Sequence, residues 1–134
     1  MYSLPAMVTP PQVATSVGQP SPSPTRELPR ECLLLRIFIG EADEYKRRPL
    51  YEAIVFRARE LKLAGATVLR GPMGFGRSQH LHNANILRLS FDLPMIVEIV
   101  DTPDRIEAFL PELRTMMRRG LITVERAQII RYRH

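Results

Sequence analysis

The residues best suited to bind an anion occur in a glycine-rich segment near the middle of the chain. Gly71, Gly74 and Gly76 surround Phe75, and Arg77 follows directly. Glycine lets the backbone approach a ligand closely and point successive amides at a phosphate, while the arginine supplies a countercharge. The pattern indicates an anion site, although the same glycines also suit a wide hairpin turn. A Walker P-loop is excluded because no Gly-Lys-Ser/Thr follows.

A second group of basic residues lies towards the C-terminus. Arg131 and Arg133 come at the end of the last predicted strand, and Arg118 and Arg119 end the helix before it. Of the 19 basic residues, 17 are arginine, against 14 acidic residues, for a net charge of +5. The planar guanidinium suits bidentate contacts with phosphate or carboxylate. The balance predicts an anionic partner, although a solvated basic tail explains the C-terminal arginines equally well.

Residues that could perform catalysis or hold a metal are sparse. Cys32 has no histidine partner at a known spacing, and no paired carboxylates or triad can be recognised. His80 and His82 lack a third ligand of matching spacing, so the sequence does not predict a metal site. The acidic residues of 41–44 are interpreted as a solvated turn. The sequence therefore predicts a binding protein that is not an enzyme and has no certain cofactor.

The elements that must position these residues follow from hydrophobic periodicity and from helix start and stop residues. Pro49 is a suitable first helical residue, Gly65 is interpreted as the stop of the first helix, and Gly120 as that of the second. A polar loop is predicted at 41–48 and a long loop at 71–93. The predicted strands are 33–40, 66–70, 95–100 and about 123–132, and the predicted helices are 50–63 and 103–120. The order βαββαβ predicts an α+β, ferredoxin-like sandwich with one antiparallel sheet and two helices on one face.

Two helices can cover only one face of such a sheet. The first and third predicted strands are nevertheless apolar on both faces, apart from Arg36 and Glu98 on one of them. A solvated face would alternate with polar residues, so the second face is predicted to be buried against other subunits. Arg36 and Glu98 could pair within that interface. Coverage by the N-terminal tail is the alternative.

Residues 1–30 differ in composition from the rest, since they contain seven of the twelve prolines. They are predicted to form a disordered Pro-rich tail, with a docking tail as the alternative, and residues 31–134 to form one domain. No apolar stretch approaches the roughly 18 residues that span a bilayer. The lone Cys32 fits a reducing compartment, so a cytoplasmic protein without membrane insertion is expected.

Nucleic-acid binding is not predicted. The segment RGPMGFGR superficially resembles the RNP1 signature of RNA-recognition motifs, in which aromatic residues of a central strand stack on bases. Here Pro72 interrupts the segment, which lies in a predicted loop, and the strand at 95–100 has no aromatic residue.

Several blocks resemble a known family in the right order. They are LRIFIGEADEYKRRPLYEAIV, LAGATVLRGPMGFGRS, LPMIVEIVDTPDRIEAFLPELRTMM and GLITVERAQII. They fall within a match that spans roughly 33–130, and they resemble the family of domain of unknown function 190, a PII-like group. The resemblance implies a ferredoxin-like fold and a homotrimer.

For function, the resemblance implies a signal transducer that binds a nucleotide between subunits and contacts enzymes or transporters through its long loop. Residues 74–77 are similar to the loop base beside the nucleotide, and Arg131 and Arg133 are placed like residues that contact phosphates. The chain departs from classical PII proteins at Ser78, where they have glutamine, and at 118–121, where they have a glycine- and lysine-containing loop. It also lacks the modifiable tyrosine in the long loop.

The leading hypothesis is a cytoplasmic PII-like regulatory protein. It binds a small anionic effector, with an adenine nucleotide as the candidate, and contacts a transporter, channel or enzyme through the loop 71–93. An effector-independent module that docks on a membrane transporter or channel is the alternative. A small enzyme of phosphate chemistry is a third, weakened by the absence of an acid–base pair.

Overall fold

The structure, a computed structural model, describes residues 27–75, 82–83 and 92–131. In chain order the elements are β1 (Glu31–Gly40), β2 (Glu44–Tyr45), β3 (Arg48–Pro49), α1 (Leu50–Glu60), β4 (Thr67–Arg70), β5 (Met73–Gly74), β6 (His82–Asn83), β7 (Pro94–Asp101), α2 (Pro103–Met116) and β8 (Leu121–Gln128). The predicted disorder of the tail stays a prediction, because residues 1–26 lie outside the described part.

The main sheet has four strands in the order β4-β7-β1-β8, and every neighbouring pair is antiparallel. Strands β1 and β7 lie side by side in the middle, although α1 and five strands, of which only β4 joins this sheet, separate them in sequence. This is the split-βαβ arrangement, so the predicted α+β, ferredoxin-like fold is confirmed. Within the described residues, no helix combines the length and the apolar character needed to cross a membrane.

Both helices pack on one face of the sheet. The strands present alternate residues to that face because side chains in a strand alternate with a period of two. The helices present an apolar stripe at a spacing of three and four residues. The resulting core consists mainly of Leu35, Ile37, Ile39, Met95, Val97 and Ile99 from the strands, and Leu50, Ile54, Ala58, Ile106, Phe109 and Leu113 from the helices. Each large apolar side chain buried in this way contributes about 1.5–3 kcal/mol.

Helix α1 ends earlier than the sequence predicted. Its last residue is Glu60, and the backbone N–H of Leu61 donates back to the carbonyl of Arg57 at 3.0 Å. Lys62 then takes a left-handed φ of 58°. The prediction that Gly65 stops the helix is therefore wrong, because a lysine supplies the left-handed residue that glycine usually provides.

Helix α2 begins as predicted and ends early. Pro103 is its first residue and Thr102 the residue before it, but the helix stops at Met116 rather than at Gly120. Gly120 has a φ of +123°, and a Cβ there would lie 2.8 Å from the carbonyl oxygen of Phe38. Glycine is thus required where the chain turns closely past β1 into β8.

A two-stranded hairpin occupies most of the segment that was predicted to be a polar loop. Strands β2 and β3 pair antiparallel, and Lys46 and Arg47 form the turn with φ values of 49° and 64°. Positive φ at both central residues is the requirement of a type I′ turn, which Asn-Gly normally signals. The prediction was wrong because Lys-Arg carries no such signal. Holding each residue there costs on the order of 1 kcal/mol.

The sheet face opposite the helices is apolar around a charged centre. Arg36 and Glu98 are direct neighbours across β1 and β7, with Nε and Oε2 3.9 Å apart, so their predicted pairing is confirmed. Arg36 also donates to Glu125 of β8. Around this centre lie Leu34, Phe38, Leu69, Ile96, Val100 and Leu121, of which Leu69 is 44% and Leu121 57% exposed.

Candidate functional site

The base of the predicted functional loop lies at one end of the main sheet. The strand register pairs Gly40 with Pro94 and Arg70 with Met95, so the end of β1, the end of β4 and the start of β7 meet there. The backbone N–H of Gly71 extends this contact by donating to the carbonyl of Pro94 at 2.7 Å. Antiparallel pairing of strands that are distant in sequence thus fixes the position from which the loop leaves the domain.

Gly71 and Gly74 both pack against the ring of Pro94. A Cβ at Gly71 would lie 2.8 Å from Cγ of Pro94, and one at Gly74 would lie 3.0 Å from the same atom. Neither glycine has a positive φ. In this structure, close packing against a proline is the physical reason for glycine at both positions.

The loop continues as the arms of a hairpin. Met73 pairs with Asn83 and Gly74 pairs with His82 in a short antiparallel ladder. Such pairing agrees with the wide-hairpin interpretation of the glycine-rich segment. Met73 in this ladder is 53% exposed, and Phe75, which follows it, is 66% exposed. Two large apolar side chains therefore lie open at the loop base, where a ligand ring or a protein partner could cover them.

A second set of contacts fixes the loop base to the end of β1. Arg70 donates from Nη2 to a carboxylate oxygen of Glu41. The backbone N–H of Glu41 donates to the carbonyl of Leu93 at 2.7 Å, and Oδ1 of Asp92 accepts from the backbone N–H of Ala42 at 3.0 Å. Both ends of the loop are therefore held against the same β1 terminus.

Arg131 does not reach this end within one chain. Strand β8 runs antiparallel to β1, and the backbone N–H of Ile129 donates to the carbonyl of Arg30 at 2.7 Å. Arg131 therefore leaves the sheet at the Arg30 end, about 30 Å along β1 from Gly40 at 3.3 Å per residue. Of the other predicted binding residues, Gly76, Arg77 and Arg133 lie outside the described residues.

A basic cleft that the sequence did not reveal lies beside the β2–β3 hairpin. It has a volume of about 760 Å³ and is lined by the hairpin and the end of α2. Arg119 donates from Nε and Nη2 to Oδ1 of Asp43, at 3.0 and 2.7 Å. These hydrogen bonds raise the pKa of Arg119 above its ordinary value. Lys46 and Arg47 line the cleft because the hairpin places them there. The cleft could therefore be predicted only by first recognising the hairpin.

The fold defines a class of protein with known representatives. A solved structure of CPII, described as a nitrogen regulatory PII-like protein from Thiomonas intermedia K12 bound to ADP, AMP and bicarbonate, superposes with a TM-score of 0.51. The two sequences are 14% identical, and the match covers 74% of this chain and 88% of CPII. The fold is therefore that of PII-like proteins.

Sequence comparison assigns the family. The model of the DUF190 family, described as Uncharacterized ACR, COG1993, matches residues 32–129. A UPF0166 protein of Aquifex aeolicus (strain VF5) is 37% identical over 97 residues, which is 72% of this chain and 91% of the relative. The UPF0166 protein MJ1524 of Methanocaldococcus jannaschii is 33% identical over 92 residues, or 68% of this chain and 84% of the relative. The chain belongs to the DUF190 family.

Proposed function

We propose that this protein is a cytoplasmic, PII-like regulatory protein that acts by binding and performs no catalytic step. A small anionic effector, with an adenine nucleotide as first candidate, binds between subunits of a homotrimer. The loop 71–93 then changes its affinity for a transporter, channel or enzyme, which is a coupling between two binding sites.

The observation that carries the proposal is the separation of the two predicted halves of the site. Gly71, Gly74 and Phe75 lie at one end of β1, and Arg131 leaves the sheet at the other. One chain cannot bring these groups to one ligand. A neighbouring subunit can, provided that the symmetry axis runs across the strands, so that the rotation brings one end of its sheet beside the opposite end of the first. The effector site is therefore composite.

The uncovered face of the sheet supports the assembly that such a site needs. Leu34, Phe38, Ile96 and Val100 lie on the face that carries no helix. The central Arg36 is compensated by carboxylates of its own chain, so it can be covered without an unpaired charge. An uncovered apolar surface of this kind favours association with further copies of the chain.

The ligands of CPII give the first compounds to test. That PII-like protein has the same fold and was solved with ADP, AMP and bicarbonate. An adenine ring could stack on the exposed Phe75, and phosphates could accept hydrogen bonds from Arg77 and from Arg131 of a neighbouring subunit. All three ligands carry the negative charge that the arginine-rich composition predicts.

Titration calorimetry with ATP, ADP, AMP and bicarbonate tests the proposal on the full chain. Heat is expected with at least one nucleotide, and Arg77→Ala and Arg131→Ala are each expected to weaken that binding about tenfold, the loss of one charge-assisted contact. The matched control is Arg59→Ala, which removes an exposed arginine from α1 and should leave the affinity unchanged.

Two outcomes would contradict the effector model. Absence of heat with every nucleotide would overturn nucleotide binding. Capture of a transporter or channel by the wild type, unaffected by added nucleotide and lost when the loop is replaced by a short linker, would favour the effector-independent interaction module.

A further inference from the structure

The cleft between the β2–β3 hairpin and the end of α2 is a second place where an anion fits. Its volume of about 760 Å³ falls within the range of small-molecule pockets, about 300–1,000 Å³. None of the residues of the proposed effector site lines it. We infer that this cleft binds a small phosphate-bearing anion, independently of the effector between subunits. The charged side chains that line it are Asp43, Glu44, Lys46, Arg47, Arg118 and Arg119.

The side chains that line the cleft carry a net positive charge. Four of the lining side chains are cations and two are carboxylates, and Asp43 is already bound by Arg119. Within the described part of the chain, neither Arg47 nor Arg118 has a carboxylate within 4 Å. Two guanidinium groups, one in the hairpin turn and one in the segment after α2, therefore retain their donors for a ligand.

The hairpin that carries half of these cations is fixed to the core. The backbone N–H of Gly40 donates to Oδ2 of Asp43 at 2.9 Å, and the backbone N–H of Leu50 donates to the Asp43 carbonyl at 2.7 Å. Leu50 itself is buried. Because both ends of the hairpin are held, little backbone freedom is lost when a ligand binds, which favours affinity.

The turn residues indicate that charge is needed at the tip of the hairpin. Lys46 and Arg47 both have positive φ, at 49° and 64°, where asparagine and glycine would be the relaxed choices. Strained residues of this kind persist where the surrounding structure fixes them, and they are concentrated at ligand sites. Basic side chains at both positions are explained if the turn must present positive charge to the cleft.

Phosphate fits this arrangement better than a single carboxylate. One arginine fork occupies both oxygens of a carboxylate, whereas the three terminal oxygens of a phosphate can accept from two forks at once. Arg47 on the hairpin and Arg118 after α2 line the same cleft from two sides. A phosphate group between them would receive hydrogen bonds from both.

Calorimetric titration of the full chain with pyrophosphate tests the inference. The double variant Arg47→Ala, Arg118→Ala is expected to bind pyrophosphate about tenfold more weakly or worse, since it loses two charge-assisted contacts. The matched control is Arg59→Ala, Arg114→Ala, which removes the same charge from exposed positions on α1 and α2. Its affinity should stay within about twofold of the wild type, because only screened surface charge is removed.

Two further variants separate a site from a folding effect and from the effector site. Lys46→Asn, Arg47→Gly relaxes the turn, so it should melt at or above the wild-type temperature while its pyrophosphate binding falls. Arg131→Ala should leave pyrophosphate binding unchanged. The inference is overturned if the wild type does not bind pyrophosphate at millimolar concentration, if the matched control loses as much affinity, or if Arg131→Ala abolishes the binding.

Discussion

At the scale of single residues, the buried carboxylate of Asp101 connects several elements. It is fully buried at the end of β7. Its Oδ2 accepts from the backbone N–H of Ala64 at 2.9 Å, and its Oδ1 accepts from that of Thr102 at 2.7 Å. One carboxylate thus satisfies backbone donors in the segment after α1 and at the start of α2.

Asp101→Ala should lower the free energy of unfolding by about 3 kcal/mol, because each buried donor left without a partner costs roughly 1–3 kcal/mol. Asp101→Asn should also destabilise, since an amide cannot accept through both of its terminal atoms. Urea unfolding followed by circular dichroism measures the change. Asp104→Asn, at an exposed position in the first turn of α2, is the control. Equal stability of the Asp101 and Asp104 variants would contradict this role.

Single residues also show what could be predicted about the site. The sequence showed that the glycine-rich segment has an unusual backbone requirement. The structure shows the reason at Gly71 and Gly74, where a side chain would collide with Pro94. These contacts join residues twenty or more positions apart, so no local pattern contains them. Lys46 and Arg47 gave no signal at all, because their turn conformation contradicts their usual preference.

At the scale of elements, one ion-pair cluster joins the two helices. Arg57 of α1 donates from Nε and Nη2 to the two carboxylate oxygens of Glu112 on α2, each at 3.0 Å, and from Nη1 to Glu60 at 2.9 Å. The hydrogen bond from Arg57 lowers the pKa of Glu112 below its ordinary value of 4.5. The same contacts raise the pKa of Arg57, which therefore stays charged.

The Arg57–Glu112 pair should make stability depend on acid pH. Because the folded-state pKa of Glu112 is depressed, its contribution is present above 4.5 and is lost as the pH falls through the folded value. Glu112→Gln should therefore unfold at lower urea than the wild type at neutral pH, and the difference should shrink below pH 4.5.

The matched control for this pH dependence is Glu107→Gln, at an exposed position on the same helix. Its urea midpoint of unfolding should equal that of the wild type at every pH. A gap between wild type and Glu112→Gln that stays constant into acid would contradict the assigned cause. Because both partners are partly exposed, raising the salt concentration should reduce the gap.

Hydrophobic periodicity predicts the cores of the long strands and helices, but not the helix ends or the short hairpin. The strand and helix cores followed from spacing alone, because burial imposes periods of two and about 3.6 residues. Helix ends did not, since Lys62 takes the role assigned to Gly65. Strands β2 and β3 have two residues each, too few to show a hydrophobic period. Only their pairing with each other identifies them as strands.

At the scale of the whole molecule, the uncovered sheet face predicts self-association. Leu121 and Val124 lie on the same edge strand and are 57% and 44% exposed. Leu121 pairs with Phe38, on the face without helices, whereas Val124 pairs with Leu35, on the helix-covered face. The two positions therefore form a matched pair for testing which face is the interface.

Leu121→Glu should shift the protein from trimer towards monomer, because a carboxylate would be buried in the interface without a partner. Val124→Glu should remain trimeric. Sedimentation velocity of the wild type and both variants at one concentration measures the effect. A monomeric wild type, or equal dissociation of both variants, would show that this face is not the subunit interface.

The separation of Gly74 from Arg131 across the sheet has a consequence for how the protein would respond to its own concentration. If each effector site uses groups from two chains, ligand binding and assembly are linked, and each must strengthen the other. Diluting the protein would weaken the apparent affinity for the effector, and saturating effector would hold the trimer together at lower protein concentration. The expression level of the protein, as well as the concentration of the effector, would then determine how much effector is bound.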